Sequence, residues 1–212
     1  RLLPAGTLRA APGLPAAIAA HCLLNLAFFG VDAFVPLALT SGRGQSASVA
    51  GLALTAATIT WTSGAWVQAH LAARASRRLL VIGGLLLIVL GIAGVAATLL
   101  PAVPVLFAAL GWAVAGLGIG LAFSTHSLVV LESAPAGQEG SSAAALQLAN
   151  VLGFALGAGI GGVIVGSTSA SGAVSLSGLL YQDLLMVGVA LLAMLVARRL
   201  PERAAPGSSP AA

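Results

Sequence analysis

Six apolar stretches, separated by short runs of Gly, Pro, Ser and Arg, constrain this chain more than any other feature. They run 15–39, 48–73, 79–100, 103–131, 141–166 and 179–197. At 1.5 Å of helical rise per residue, each can cross a hydrocarbon layer ~30 Å thick. Composition says the same. Charged residues make up only 7% of the chain against 59% apolar ones, too few to clothe a water-soluble domain. A β-barrel would need alternating ten-residue segments, which are absent. The residues therefore predict an all-α membrane protein with six transmembrane helices. They divide it into an N-terminal cytoplasmic linker at 1–14, a membrane domain at 15–200 and a disordered cytoplasmic tail at 201–212. The stretch before the first span is too rich in Pro and Gly to read as a secretory signal. The first residue is Arg rather than Met, so a fragment or a trimmed chain is expected.

Charge sets the orientation. All nine cations are arginine. With six spans, Arg1, Arg9, Arg74, Arg77, Arg78, Arg198, Arg199 and Arg203 fall on one side and Arg43 alone on the other. The positive-inside rule puts the crowded side in the cytoplasm of a plasma-membrane protein. The basic pI of about 11.1 does not point to nucleic acid, because the arginines are scattered through short loops without forming a stripe. Cys22 is the single cysteine, which leaves no disulfide or thiolate metal site within the chain.

Polar groups inside apolar stretches are costly and therefore informative. In the first span His21, Asn25, Phe28 and Asp32 share one helix face. Asp32 reads as the only carboxylate well inside a span, roughly 6 Å past its middle. This face is expected to line a water-accessible cavity, with Asp32 holding a cation or a proton. An outer-mouth carboxylate bonded to a neighbouring helix is the plainer alternative. The second span places Thr55, Thr58, Thr62 and Trp66 on one face, read as cavity lining or as hydroxyls bonded back to i−4 carbonyls. In the fourth, His126 lies a turn and a half from Glu132 and is a proton-coupling candidate beside Asp32; Gly111, Gly116, Gly118 and Gly120 permit close approach or bending. The fifth carries Gly153, Gly157 and Gly161 at four-residue spacing, a ridge for helix packing, with Gln147 and Asn150 near it as solute contacts or interhelical bonds.

No phosphate-cradling loop, zinc-binding HExxH or nucleophile elbow is present, so an enzyme is not expected and no metal or cofactor is called for.

The segment Ala69-His-Leu-Ala-Ala-Arg-Ala-Ser-Arg-Arg78 resembles the G-x-L-a-D-R-x-G-R-R loop motif of the major facilitator superfamily. Leu71, Ala72, Arg74, Arg77 and Arg78 match; Ala69, Ala73 and Ser76 replace its Gly, Asp and Gly. The stretch from Gly153 through Gly157 and Gly161 to Gly162 is similar to the superfamily's g-x-x-x-G-P-x-x-G-G helix, with Ala158 where Pro is expected. The resemblance implies helices seven to twelve of a twelve-helix carrier, most like a bacterial multidrug-efflux permease. It further implies alternating access, an N-terminal six-helix half as partner, and protons and small solutes as cargo. Asn25, Phe28, Asp32, Thr58, Thr62, Trp66, Gln147 and Asn150 would then line the substrate path. Sugar or metabolite uptake, and a non-transporting membrane scaffold, are the competing expectations.

Overall fold

A backbone surrounded by lipid has no water to bond, so an apolar stretch satisfies its own N–H and C=O groups by coiling into helix. The computed structural model describes residues 4, 6–169 and 174–200; the tail expected at 201–212, with Arg203, lies outside them, as does Arg1. The helices are α1 (Leu14–Asp32), a short α2 (Val35–Leu37), α3 (Ala47–Leu71), α4 (Arg77–Ala97), α5 (Leu106–Glu132), α6 (Glu139–Thr168) and α7 (Leu176–Ala197). No strand occurs among the described residues.

The first stretch departs from a single uninterrupted helix. Regular α-helix ends at Asp32 and resumes at Val35, and the chain then passes through a wider π-type turn at Ala38–Gly42. Pro36 accounts for the break. It has no N–H to give the Asp32 carbonyl four residues back, and its ring crowds that carbonyl. The chain tightens instead, with Phe34 N bonded to Val31 O at 2.8 Å. Asp32 therefore stands at the end of a helix and not within one.

Five of the long helical segments are long and apolar enough to cross a membrane, with mean hydropathy from 1.9 to 2.8. α3 is as long, 25 residues, but more polar. Its buried face is narrow and small (Ala50, Ala53, Ala57, Gly64 and Gln68), while Thr55, Thr58, Thr62 and Ser63 face outward.

α5 is the axis of the bundle. α3 and α4 run along it on separate faces, α1 lies along α6 and α7, and α7 closes against α4. The glycines of α5 divide between two neighbours. A Cβ at Gly116 or Gly120 would strike the α3 backbone at Ala57 or Trp61, and one at Gly111 would come within 2.9 Å of Gly91 O on α4. Close approach is thus what these glycines provide. Trp112, Leu24, Leu85, Ile88 and Ile119 fill the core between α1, α4 and α5.

The ends of the bundle differ chemically. At one, Arg199 donates to Arg9 O and Ala10 O, both at 3.0 Å, and Arg78 donates to Leu200 O at 3.0 Å. Arg77 forms a two-pronged ion pair with Glu132 at the end of α5, through Nε at 3.1 Å and Nη2 at 2.5 Å. At the other end, Arg43 gathers carbonyl oxygens after α4: Thr98, Leu100 at 2.6 Å and Val103 at 3.1 Å. These carbonyls follow the C-terminal end of α4, where a cation is also favoured by the helix dipole.

Candidate functional site

The stripe on α1 is where sequence reading placed a water-accessible face, and the structure corrects it. His21 and Asn25 are fully buried and Phe28 is 2% exposed, packed between α5 and α6. The physical cause is the glycine ridge of α6. A Cβ at Gly153 would sit 2.5 Å from Cys22 O, and one at Gly157 2.5 Å from Leu26 O. α6 therefore lies directly on α1 and seals the stripe. Gly161 meets the Phe34 ring and Gln182 in the same seam, whereas Gly162, expected to pack with the others, points outward with nothing within 4 Å. Four-residue spacing carried the first three along one side; one residue further rotates by about 100° and leaves the seam.

Only Asp32 of the stripe remains partly open. Its Oδ1 accepts a hydrogen bond from Trp112 Nε1 at 2.8 Å. The indole stacks on Phe28, with ring centroids 4.8 Å apart and planes 16° from parallel, and Trp61 meets Phe28 edge-on at 5.7 Å. The result is a carboxylate seated on an aromatic wall built from three helices, a surface suited to a flat or cationic group. Trp112 was not singled out in the sequence, because a tryptophan among apolar residues carries no mark of its partner.

His126 does not reach toward Glu132, which is engaged by Arg77. It is buried on α5 and faces His21 across the seam, rings 5.5 Å apart, with Phe123 against His21 at 4.8 Å. His126 Nδ1 donates to Ala122 O at 2.9 Å, which leaves Nε2 as acceptor in the neutral ring. That atom, both His21 ring nitrogens and Asn25 Oδ1 have no hydrogen-bond partner, while Asn25 Nδ2 bonds back to His21 O at 2.8 Å. Buried polar atoms are nearly always paired, and three of these orphans, the His21 nitrogens and His126 Nε2, belong to the two rings that meet between α1 and α5.

The remaining candidates scatter. Thr58 and Thr62 are exposed on α3, their hydroxyls bonded back to Leu54 O at 3.0 Å and Thr58 O at 3.3 Å. Trp66 is 66% exposed and lies over His70, with centroids 4.1 Å apart. The threonine that joins helices is Thr60, which donates to Ala113 O on α5 at 2.6 Å. Gln147 is exposed on α6, and Asn150 is half-buried with Oδ1 unpartnered. In the loop, Leu71 and Arg74 are exposed and Ala72 half-buried, while Arg77 and Arg78 fasten the loop to α5 and to the chain after α7.

α7 supplies what sequence reading missed. Gln182, fully buried, donates to Gly30 O at 2.7 Å across to α1. Asp183, 3% exposed, faces α4. Asp32 is therefore not the only carboxylate deep in a span; Asp183 sits on the eighth residue of α7 and escaped notice because its span was drawn to begin at 179.

No protein-family model matches the chain, and no curated protein matches it. Solved structures do. It superposes on the major facilitator superfamily proton:xylose symporter XylE, bound to 6-bromo-6-deoxy-D-glucose, with TM-score 0.73 and 20% identity over 89% of this chain and 45% of that one. A peptide transporter, POT, in complex with sulfate gives TM-score 0.70 and 18% identity over 87% and 37%, and one in complex with alafosfalin 0.64 and 20% over 90% and 40%. The fold is that of the major facilitator transporters. The chain spans less than half the length of each of these proteins. At such identities the likeness speaks for the major facilitator fold alone.

Proposed function

We propose that this chain is a six-helix half, the C-terminal one, of a secondary active transporter in the plasma membrane, exporting small lipophilic or cationic solutes in exchange for protons. The observation that carries the reading is the outward face of α3. There the exposed Thr55, Thr58, Thr62 and Ser63 are interleaved with exposed Leu52, Ile59 and Trp66, so that this one long helix carries a mixed polar and apolar uncovered side. Hydroxyls bonded back to their own carbonyls tolerate lipid, but a run of them with Trp66 at its end suits the wall of a wet path between two halves.

Asp32, on its aromatic wall at the broken end of α1, is the group that attracts a cation or carries a proton. Phe28 acts from beneath by stacking on Trp112, which holds Asp32, and Asn25 with the His126–His21 pair takes part in moving the proton. Thr58, Thr62, Trp66, Gln147 and Asn150 offer exposed or half-open contacts to the solute. Gly153, Gly157 and Gly161 hold α6 close on α1, so that this half moves as one body when the halves rock. The arginine-rich end lies in the cytoplasm by the positive-inside rule. A proton-coupled symporter among the similar structures supports the coupling ion; the cargo rests on the low charge of the path and on Asp32, and the direction on the resemblance of the loop and glycine motifs to efflux permeases.

Liposomes holding the full-length carrier, with a preset pH gradient and an entrapped pH dye, test this directly. Ethidium added outside should provoke proton flux, and Asp32→Asn should abolish it without lowering the amount of protein inserted. Equal flux in protein-free liposomes, or full flux with Asp32→Asn, refutes the proposed role.

A further inference from the structure

The path described above leaves Asp183 unused. Its carboxylate lines a groove of about 520 Å³ between α4 and α7, and everything else that shapes the groove is apolar apart from Ser177. Ser177 Oγ is 2.7 Å from Ser175 Oγ. Asp183 is 3% exposed and has no hydrogen bond, and the one ion pair among the described residues is Arg77–Glu132. An arginine shares this end of the bundle, but Arg43 is held by the carbonyl oxygens after α4. The groove opens sideways, since Leu100, Leu180 and Leu184 along it are exposed leucines of the kind that meet hydrocarbon.

We propose that this groove is a binding site for a lipophilic monovalent cation entering from the bilayer, with Asp183 as its counter-charge and Ala93, Leu180 and Val187 against its hydrocarbon body. The inference does not depend on transport by the chain. A carboxylate surrounded by apolar side chains needs compensation, and no side chain among the described residues supplies it. A divalent metal would want several more oxygen ligands than Asp183 provides. A phospholipid amine is the wrong shape. Asp183 lies roughly 10 Å along α7 from its outer start, so a headgroup reaching it would drag its phosphate below the interface, where the groove holds no cation to receive it. A cation whose charge is buried in its own hydrocarbon can descend that far, and the volume falls in the range of small-molecule sites.

The test is equilibrium binding at fixed pH, without any ion gradient, to the full-length carrier in phosphatidylcholine nanodiscs. Radiolabelled tetraphenylphosphonium is the probe and tetraphenylborate its charge-inverted counterpart of equal size; empty nanodiscs give the partition background. A saturable site for the cation that persists with Asp32→Asn, and none for the anion, is expected. Asp183→Asn should weaken cation binding at least tenfold and Asp183→Glu should preserve it. Ala93→Phe, which fills the groove without touching the carboxylate, should weaken it likewise, and Leu191→Phe on the outer face of α7 should leave it unchanged. If Asp183→Asn does not fold, Ala93→Phe and Asp183→Glu decide. The proposal fails if no saturable cation site is found, as a carboxylate that merely holds a proton would give, or if tetraphenylborate binds equally. It also fails if binding survives Asp183→Asn and is lost with Asp32→Asn.

Discussion

Replacing Gly157 by Ala, with Gly162→Ala as its partner, isolates the energy of the α1–α6 seam. Both positions lie inside α6, so the gain in helix propensity, up to ~1 kcal/mol, is common to the two and cancels in their difference. The surroundings do not cancel. A Cβ at 157 meets Leu26 O at 2.5 Å, Gly30 N at 2.9 Å and Gly30 Cα at 3.0 Å, all backbone atoms that cannot rotate aside. One at 162 meets nothing within 4 Å. Relieving the first contact requires the two helices to part by nearly ~1 Å, and a gap of that order forfeits a quarter to a half of the dispersion attraction along the seam. With overpacking costs of about 1–3 kcal/mol, Gly157→Ala should be less stable than Gly162→Ala by that amount. Unfolding in mixed micelles titrated with sodium dodecyl sulfate, followed by tryptophan fluorescence, measures the difference. Equal stability within about 0.5 kcal/mol, the usual noise of such comparisons, would refute the claim that the glycine ridge is what brings α6 onto α1.

Two further perturbations follow from the packing. Thr60→Val removes the bond to Ala113 O while keeping the shape, and should cost about 0.6–1.7 kcal/mol in the same unfolding assay; Thr58→Val and Thr62→Val, on the uncovered face, should cost less. Arg77→Gln and Glu132→Gln should each destabilise by up to ~1 kcal/mol and show coupling in a double-mutant cycle that shrinks as salt rises, since the pair is partly accessible to solvent.

The bundle was legible in the sequence because lipid imposes one backbone solution and glycine spacing survives translation into contacts. Gly153, Gly157 and Gly161 read as one face and pack as one face. The α1 stripe was legible as a face but not as a buried one: spacing shows that His21, Asn25, Phe28 and Asp32 lie together, not which helix lies over them. The break at Asp32 was in principle visible at Pro36, whose lost bond points four residues back. Pairings across helices carried no local signal. His21 with His126, Trp112 with Asp32, and Gln182 with Gly30 join residues 80 to 152 positions apart or on separate helices, and only the packed bundle brings them together.

The account turns on whether the outward face of α3 borders water. In the full-length carrier with Cys22→Ser, single cysteines at Thr58, Thr62 and Leu191 can be challenged in membrane vesicles with a membrane-impermeant maleimide. Thr58→Cys and Thr62→Cys should react, and should change rate when a transported solute is added, while Leu191→Cys on the leucine-clad face of α7 stays unlabelled. If neither threonine position reacts under any condition, or all three react alike, α3 faces lipid and the path proposed along it does not exist.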